Sequence, residues 1–178
     1  MLLWTIQHIN AYNKMNSCGT LRADNEYIYS DFKKGYIWLS KQMKQRIGQA
    51  PEGVDYPVWA WYQWEGKRKR PDMRFHGRGR CPEKGTPIVL MTIDVPDQNV
   101  LLSDFDDWHI VLNDGVYDIT EKYDREFSEE EKIKSWEYIF DVNGEFVKRD
   151  INIKPSIQAT MWEIKKEWVK KAEHFLSR

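Results

Sequence analysis

PIVLMTIDVPDQNVLLSDFDDWHIVLN, residues 87–113, is the stretch that decides the fold. Residues 88–93 are the longest apolar run of the chain, and such a run predicts a strand that is covered on both faces. A turn around Val95-Pro96-Asp97 leads to a second predicted strand. The stretch then enters an acidic segment with aromatic residues, DFDDWH at 104–109, where polar side chains follow directly on a buried scaffold.

Shorter patterned stretches surround this one. We predict strands at 2–7, 58–64, 116–119 and 138–142, and helices at 9–15, 32–46 and 128–136. Asp31 is the expected cap of the second of these helices, and Ser128 with Glu131 forms a capping box for the third. Because strands and helices do not alternate regularly, the fold class is α+β, with a mixed or antiparallel central sheet and flanking helices.

The C-terminal part of the chain predicts a long amphipathic helix. Pro155 suits a first helical turn, and lysines at 165, 166, 170 and 171 would form the solvated side. Apolar residues follow Pro155 at helical steps: Ile157, Met161, Ile164, Trp168, Ala172 and Phe175.

Length and composition predict one domain over residues 1–178, which is long enough to bury a core. The 27 basic and 28 acidic residues balance, so the net charge of the whole chain indicates no partner. Cys18 and Cys81 have no metal-ligand spacing, and we expect both to be reduced thiols in a cytoplasmic protein. The first residues do not form a signal peptide, and no apolar run is long enough for a membrane helix.

The strongest local charge is the basic segment 67–80, KRKRPDMRFHGRGR, with seven Lys or Arg against Asp72. Such a cluster attracts phosphates, and nearby tryptophans suit a stacked base, so we expect an anionic nucleotide-like or nucleic-acid ligand. The alternative is a solvated loop with its tryptophans in the core. The expected ligand-binding residues are Trp59, Trp61, Lys67, Arg68, Arg70, Arg74, Arg78 and Arg80.

The acidic segment 104–109 has two interpretations. Asp104, Asp106, Asp107 and His109 could bind a divalent metal or form an acid-base pair, with His109 as a candidate catalytic residue and Asp104 and Asp106 as candidate ligand contacts. The other interpretation is a helix start, with Asp104 or Asp106 as the N-cap. We favour the helix start and predict no metal site, because the spacing satisfies no metal motif.

Several tryptophan-containing motifs occur in order along the chain. They are LWTIQ at 3–7, YIWL at 36–39, PVWAW at 57–61, LLSDFDDWH at 101–109 and IQATMW at 157–162. These motifs resemble domain of unknown function 3841, a family of bacteria and their mobile elements. The resemblance implies a bacterial or mobile-element protein and no established activity.

A looser resemblance is to small ADP-ribosyltransferase-like domains, which start with a similar strand, a short helix and Gly-x-Leu, here at 19–21. The resemblance implies NAD as the cofactor, with Thr5 and Gln7 near the nicotinamide ribose, Tyr36 or Trp38 stacked on the ring, Arg46 at a phosphate and Glu163 orienting the ribose. The first strand lacks the His or Arg that is usual there, and Glu163 lies in the predicted C-terminal helix.

Three hypotheses about function therefore stand. The first is a binding module for a nucleotide-like or nucleic-acid ligand, and the second is an NAD-dependent ADP-ribosyltransferase-like enzyme. The third is a protein-interaction module that docks a partner through an aromatic surface around Trp59 and Trp61.

Overall fold

The computed structural model describes residues 1–24, 26, 28–73, 83–118, 126–145 and 154–177. The strands are β1 (Leu2–His8), β2 (Thr20–Leu21), β3 (Val58–Gln63), β4 (Pro87–Asp94), β5 (Leu101–Asp104), β6 (Ile157–Met161), β7 (Ile164–Lys165) and β8 (Val169–Leu176). The α-helices are α1 (Ile9–Cys18), α2 (Lys33–Arg46), α3 (Phe105–Leu112) and α4 (Glu129–Ser135). Short 3-10 helices occupy Ser30–Phe32, Asp97–Asn99, Trp136–Phe140 and Lys166–Trp168.

The main sheet has six strands in the order β5-β6-β3-β1-β4-β8, and all neighbouring pairs are antiparallel. A separate two-stranded sheet joins β2 to β7. The α+β class with an antiparallel central sheet is therefore confirmed.

The apolar run at 88–93 forms the body of β4, between β1 and β8. Val89, Leu90, Met91 and Ile93 are all buried, so the expectation of a strand covered on both faces is confirmed. Its partner β1 pairs with it over seven residues, from Leu2↔Asp94 to His8↔Ile88.

Two apolar cores lie on the two faces of the main sheet. The first packs Met15 of α1 and Leu21 of β2 against the sheet. The second packs α2, α3 and the segment 136–140 against the other face, with Leu39, Trp108 and Trp136 among its buried residues. Side chains that alternate along β3 divide between the two cores, because successive residues of a strand point to opposite faces.

Local capping rules predicted several helix ends. Gly19 closes α1 in the left-handed conformation, at φ 88°, and Ser128 with Glu131 forms the expected capping box of α4. Asp104 is the N-cap of α3, where its carboxylate accepts from the backbone N–H groups of Asp106 and Asp107. The helix-start interpretation of the acidic segment is confirmed.

The predicted C-terminal amphipathic helix is wrong, because β6, β7 and β8 occupy that part of the chain. The pattern misled because steps of four residues satisfy both a helical period of 3.6 and a strand period of two. Ile157 and Met161 differ by four, as do Ile164, Trp168 and Ala172. In addition, all five residues of β6 are buried between β3 and β5, so β6 lacks the alternation that would identify a strand.

Three smaller predictions also differ from the structure. Residues 138–142 form no strand, since Trp136–Phe140 is a 3-10 helix. Asp31 does not cap α2, because it lies in the 3-10 helix Ser30–Phe32 and the N-cap of α2 is Phe32, without a side-chain bond. Residues 116–118 form no strand, and Ile119 lies outside the described residues.

Candidate ligand-binding cleft

The main sheet opens between its two middle strands. Both strands are described in full, and the register that joins β1 to β3 contains the single pair Trp4↔Trp61, although each strand pairs at length with its other neighbour. Beyond that pair the hydroxyl of Thr5 donates to the carbonyl of Trp59 over 2.7 Å. A cavity of about 1700 Å³ lies at this opening, which we call the cleft.

Aromatic side chains form one wall of the cleft. They come from α2, β3 and α3: Tyr36, Trp59, Trp61, Phe105 and Trp108. The rings contact one another, with centroid distances of 5.6 Å for Tyr36–Trp108, 5.3 Å for Trp59–Trp108 and 5.0 Å for Trp61–Phe105. The paired rings meet at interplanar angles of 88°, 43° and 59°, so the wall is an interlocked apolar cluster, and apolar and aromatic lining is typical of small-molecule sites.

Polar side chains also line the cleft. The amide nitrogen of Gln7 donates to the Thr5 hydroxyl over 2.7 Å, so Gln7 and Thr5 are linked to each other and to β3. Gln158 of β6 lines the same cavity and is 5% exposed. Its amide nitrogen is buried and has no acceptor among the described residues.

His109 of α3 also lines the cleft. Its Nδ1 lies 2.9 Å from the carbonyl oxygen of Phe105, one turn earlier in the helix. Because a carbonyl oxygen only accepts, Nδ1 carries the proton of this bond, and in the neutral ring Nε2 is then the acceptor. This arrangement could accept a proton or a hydrogen bond from a ligand.

The hydroxyl of Tyr36 is a donor in the cleft wall. Burial raises the pKa of Tyr36 above its usual value, and the neighbouring indole N–H of Trp59 acts in the opposite direction. The hydroxyl therefore stays protonated at neutral pH.

Charged residues lie at the rim. Lys14 of α1 is exposed, and Arg22 follows β2. Arg22 makes an ion pair with Glu163 over 2.9 Å, and Glu163 lies between β6 and β7. Glu163 itself is not among the residues that line the cavity.

A family model for a domain of unknown function (DUF3841) matches residues 2–134. The chain belongs to this family. Comparisons with curated proteins and with solved structures found no match. The DUF3841 match covers β1, α2, β3 and α3, which supply the cleft's aromatic wall, whereas Gln158 and Glu163 lie after it.

The described part of the basic segment of this DUF3841 protein lies away from the cleft. Arg68 donates to the carbonyl of Leu2 over 2.8 Å and stacks 3.6 Å from the ring centroid of Tyr62, whose side chain belongs to the opposite face from the aromatic wall. Arg70 pairs with Glu173 of β8 over 3.0 Å. Lys67, Arg68 and Arg70 do not line the cavity, and Arg74, Arg78 and Arg80 lie outside the described residues.

Four other expected contacts also lie outside the cleft lining. Trp38 is buried in the second core and stacks on Phe140 at 5.7 Å. Arg46 lies over the same ring at 4.5 Å from its centroid. Asp104 caps α3, and Asp106 is exposed in its first turn. The structure thus brings together Thr5, Gln7, Tyr36, Trp59, Trp61 and His109.

Sequence reasoning missed Gln158, Phe105, Trp108 and Lys14 as cleft residues. A signal was available for Gln158. It lies two residues before Thr160 in an otherwise apolar segment, and this pattern indicates a buried polar side chain. Among the described residues, no three His, Cys, Asp or Glu side chains are grouped as metal ligands. No helix within the described ranges is long and apolar enough to cross a membrane.

Proposed function

We propose that this DUF3841 protein binds a small nucleotide-like ligand in the cleft between β1 and β3. The observation that supports this function is the shared cavity of Thr5, Gln7, Tyr36, Trp59 and Trp61. Aromatic faces hold a planar base by stacking, and a few polar groups fix its orientation.

Lys14 is the best candidate for a phosphate contact. It lines the rim of the cleft, and no ion-pair partner among the described residues competes for its ammonium group, whereas Arg22 is already paired with Glu163. A mononucleotide needs nothing from the basic segment, whose Arg68 and Arg70 are held by Tyr62 and Glu173. A small nucleotide therefore fits the cleft better than an extended nucleic acid.

The test is binding of AMP, IMP, UMP, nicotinamide mononucleotide and NAD by isothermal titration calorimetry. We expect at least one to bind, and Lys14→Gln to weaken it about twofold to fivefold, since one exposed charge contributes up to about 1 kcal/mol. The matching nucleoside, which has no phosphate, should bind both proteins equally. Lys44→Gln, an exposed lysine of α2 outside the cleft, is the control. If none of the five compounds binds the wild-type protein, the proposed function is wrong.

A second candidate function is ADP-ribosyl transfer from NAD. Thr5, Gln7 and Tyr36, which the resemblance to ADP-ribosyltransferase-like domains assigns to NAD, share the cleft, and Glu163 is paired with the rim residue Arg22. In this reaction the bond between the ribose and nicotinamide breaks, nicotinamide leaves, and the ribose carbon forms a bond to a nucleophile of the acceptor. The acceptor would be a nucleic acid or a protein.

Glu163→Gln tests the second candidate, because it keeps the size of the side chain and removes its charge. We expect release of nicotinamide and mass gain on the acceptor to fall at least about tenfold, as for loss of one group that stabilises the transition state. Glu167→Gln, an exposed neighbour, should leave both unchanged. A wild-type protein that neither binds nor consumes NAD would exclude this reaction without excluding mononucleotide binding.

The interaction-module hypothesis has less support. Trp59 and Trp61 are partly buried and pack within the cleft wall, so they do not form a protruding surface. Among the described residues, the exposed large apolar side chains are Leu2, Tyr29, Ile37 and Leu176.

A further inference from the structure

Gln158 occupies a central position in the polar part of the cleft. It lies opposite Trp61 across the β3–β6 pairing and opposite Ser103 across the β5–β6 pairing. Opposed residues of neighbouring strands point to the same face, so Gln158 shares its face with the aromatic wall. A ring that stacks on Trp61 would thus have its edge next to the Gln158 amide.

The amide nitrogen of Gln158 is an unused donor. It is buried without an acceptor among the described residues, whereas Gln63 and Gln7, on neighbouring strands, donate to Pro155 and Thr5. The indole N–H of Trp59, which lines the same cavity, lies beside the Tyr36 hydroxyl but is not in hydrogen-bonding geometry with it. Buried donors are nearly always paired, because an unpaired one costs free energy, so the Gln158 amide indicates a missing acceptor in the cavity.

We propose that Gln158 binds a carbonyl oxygen on the planar ring of the ligand, and so selects oxo-bearing or carboxamide-bearing rings over amino-bearing ones. The proposal rests on the proposed function, since it names the ring chemistry of the ligand in the same cleft. A carbonyl oxygen has two lone pairs and can accept from both the Gln158 amide and the Trp59 indole. An exocyclic amino group at the same place would bring a donor against a donor.

A buried water is the competing explanation. The hydroxyl of Ser103 is also buried without a partner among the described residues, and one water between Ser103 and Gln158 would satisfy both. In that case Gln158 would be a structural residue and would not affect the choice of ligand. The two explanations predict different results for IMP and AMP, which differ at one exocyclic group, a carbonyl in IMP and an amino group in AMP.

The test compares IMP and AMP binding to the wild-type protein and to Gln158→Met, which keeps the length of the side chain and removes its hydrogen bonds. We expect the wild-type protein to bind IMP at least about tenfold more tightly than AMP, since a buried donor-acceptor mismatch is discriminated strongly. In Gln158→Met the two affinities should differ by less than about twofold. Nicotinamide mononucleotide, the carboxamide probe, should also bind Gln158→Met more weakly than wild type.

Gln42→Met is the matched control, because Gln42 is a buried glutamine of α2, 8% exposed, that does not line the cleft. It should keep the wild-type preference for IMP.

Thermal unfolding adds a second readout: Gln158→Met should melt no lower than wild type if the amide serves a ligand, and lower if the amide holds a structural water. Equal binding of IMP and AMP, tighter binding of AMP, or an unchanged preference in Gln158→Met would each overturn the proposal while leaving nucleotide binding intact. Absence of binding by IMP, AMP and nicotinamide mononucleotide would overturn it, and the proposed function would fall with it only if UMP and NAD also failed to bind.

Discussion

Replacing Trp136 by alanine is expected to lower the free energy of unfolding by about 3–5 kcal/mol, the usual loss for a buried tryptophan. Trp136 is 1% exposed, and its indole N–H donates to the carbonyl of Gly115 over 2.7 Å. Its ring packs edge to face with Trp38, with centroids 5.5 Å apart. The substitution would leave a large cavity in the second core and an unpaired carbonyl. Urea denaturation followed by circular dichroism measures the loss.

Two further variants separate the contribution of the indole N–H from that of burial: one at Trp136 and one at a less buried tryptophan. Trp136→Phe keeps an aromatic ring but loses the indole N–H, and should cost about 1–2 kcal/mol for the bond to Gly115 and the lost volume. Trp168→Ala, at a partly buried tryptophan of the first core, should cost clearly less than Trp136→Ala. A loss below about 1 kcal/mol for Trp136→Ala would contradict the packing described for the second core.

Strand β4 and several helix ends were predictable from the sequence because local rules decide them. The apolar run at 88–93 is long enough to exclude an exposed strand, and Asp104 caps α3 through bonds to residues two and three positions later. The C-terminal strands were not predictable in the same way. Spacing by four residues fits both periods, and only the partners β3 and β5 reveal that the buried segment 157–161 is a strand.

The cleft depends on long-range pairing, which sequence patterns do not encode. Residues 2–7 and 58–64 read as strands, but their alternation does not show that they pair at a single position and then separate. The charge pattern likewise did not show where the basic side chains lie, because the contacts of Arg68 and Arg70 are with β1, β3 and β8. Thr5, Gln7 and Tyr36, which the resemblance groups together, line one cavity although they lie on two elements.

The later part of the chain completes both the sheet and the cleft. The DUF3841 match ends at residue 134, yet β6 lies between β5 and β3 in the sheet order. In the main sheet β5 and β3, which both belong to the matched segment, are therefore joined by a strand that lies outside it. Because Gln158 is on β6, the polar contact that we propose for the ligand ring comes from the unmatched part of the chain.

Trp61→Leu is expected to weaken the tightest-binding mononucleotide from about fivefold to more than a hundredfold, as for the loss of about 1–3 kcal/mol of stacking. Trp61 lines the cleft, lies opposite Gln158 on the neighbouring strand, and contacts Phe105 and Trp64 at 5.0 Å and 4.7 Å. Leucine keeps an apolar side chain on β3 but offers no flat face. Titration calorimetry with the wild-type protein and the variant measures the change.

The same substitution at Trp168 is the control, because that ring is also partly buried and does not line the cleft. Trp168→Leu should bind the nucleotide as wild type does. Circular dichroism must show that Trp61→Leu is folded, since Trp61 also packs on Phe105 at the start of α3. A folded Trp61→Leu protein with wild-type affinity would place the base elsewhere than on this ring. The Gln158 amide, which lies opposite Trp61, would then not meet the ring edge either, so this variant also tests the geometry on which the selection of a carbonyl depends.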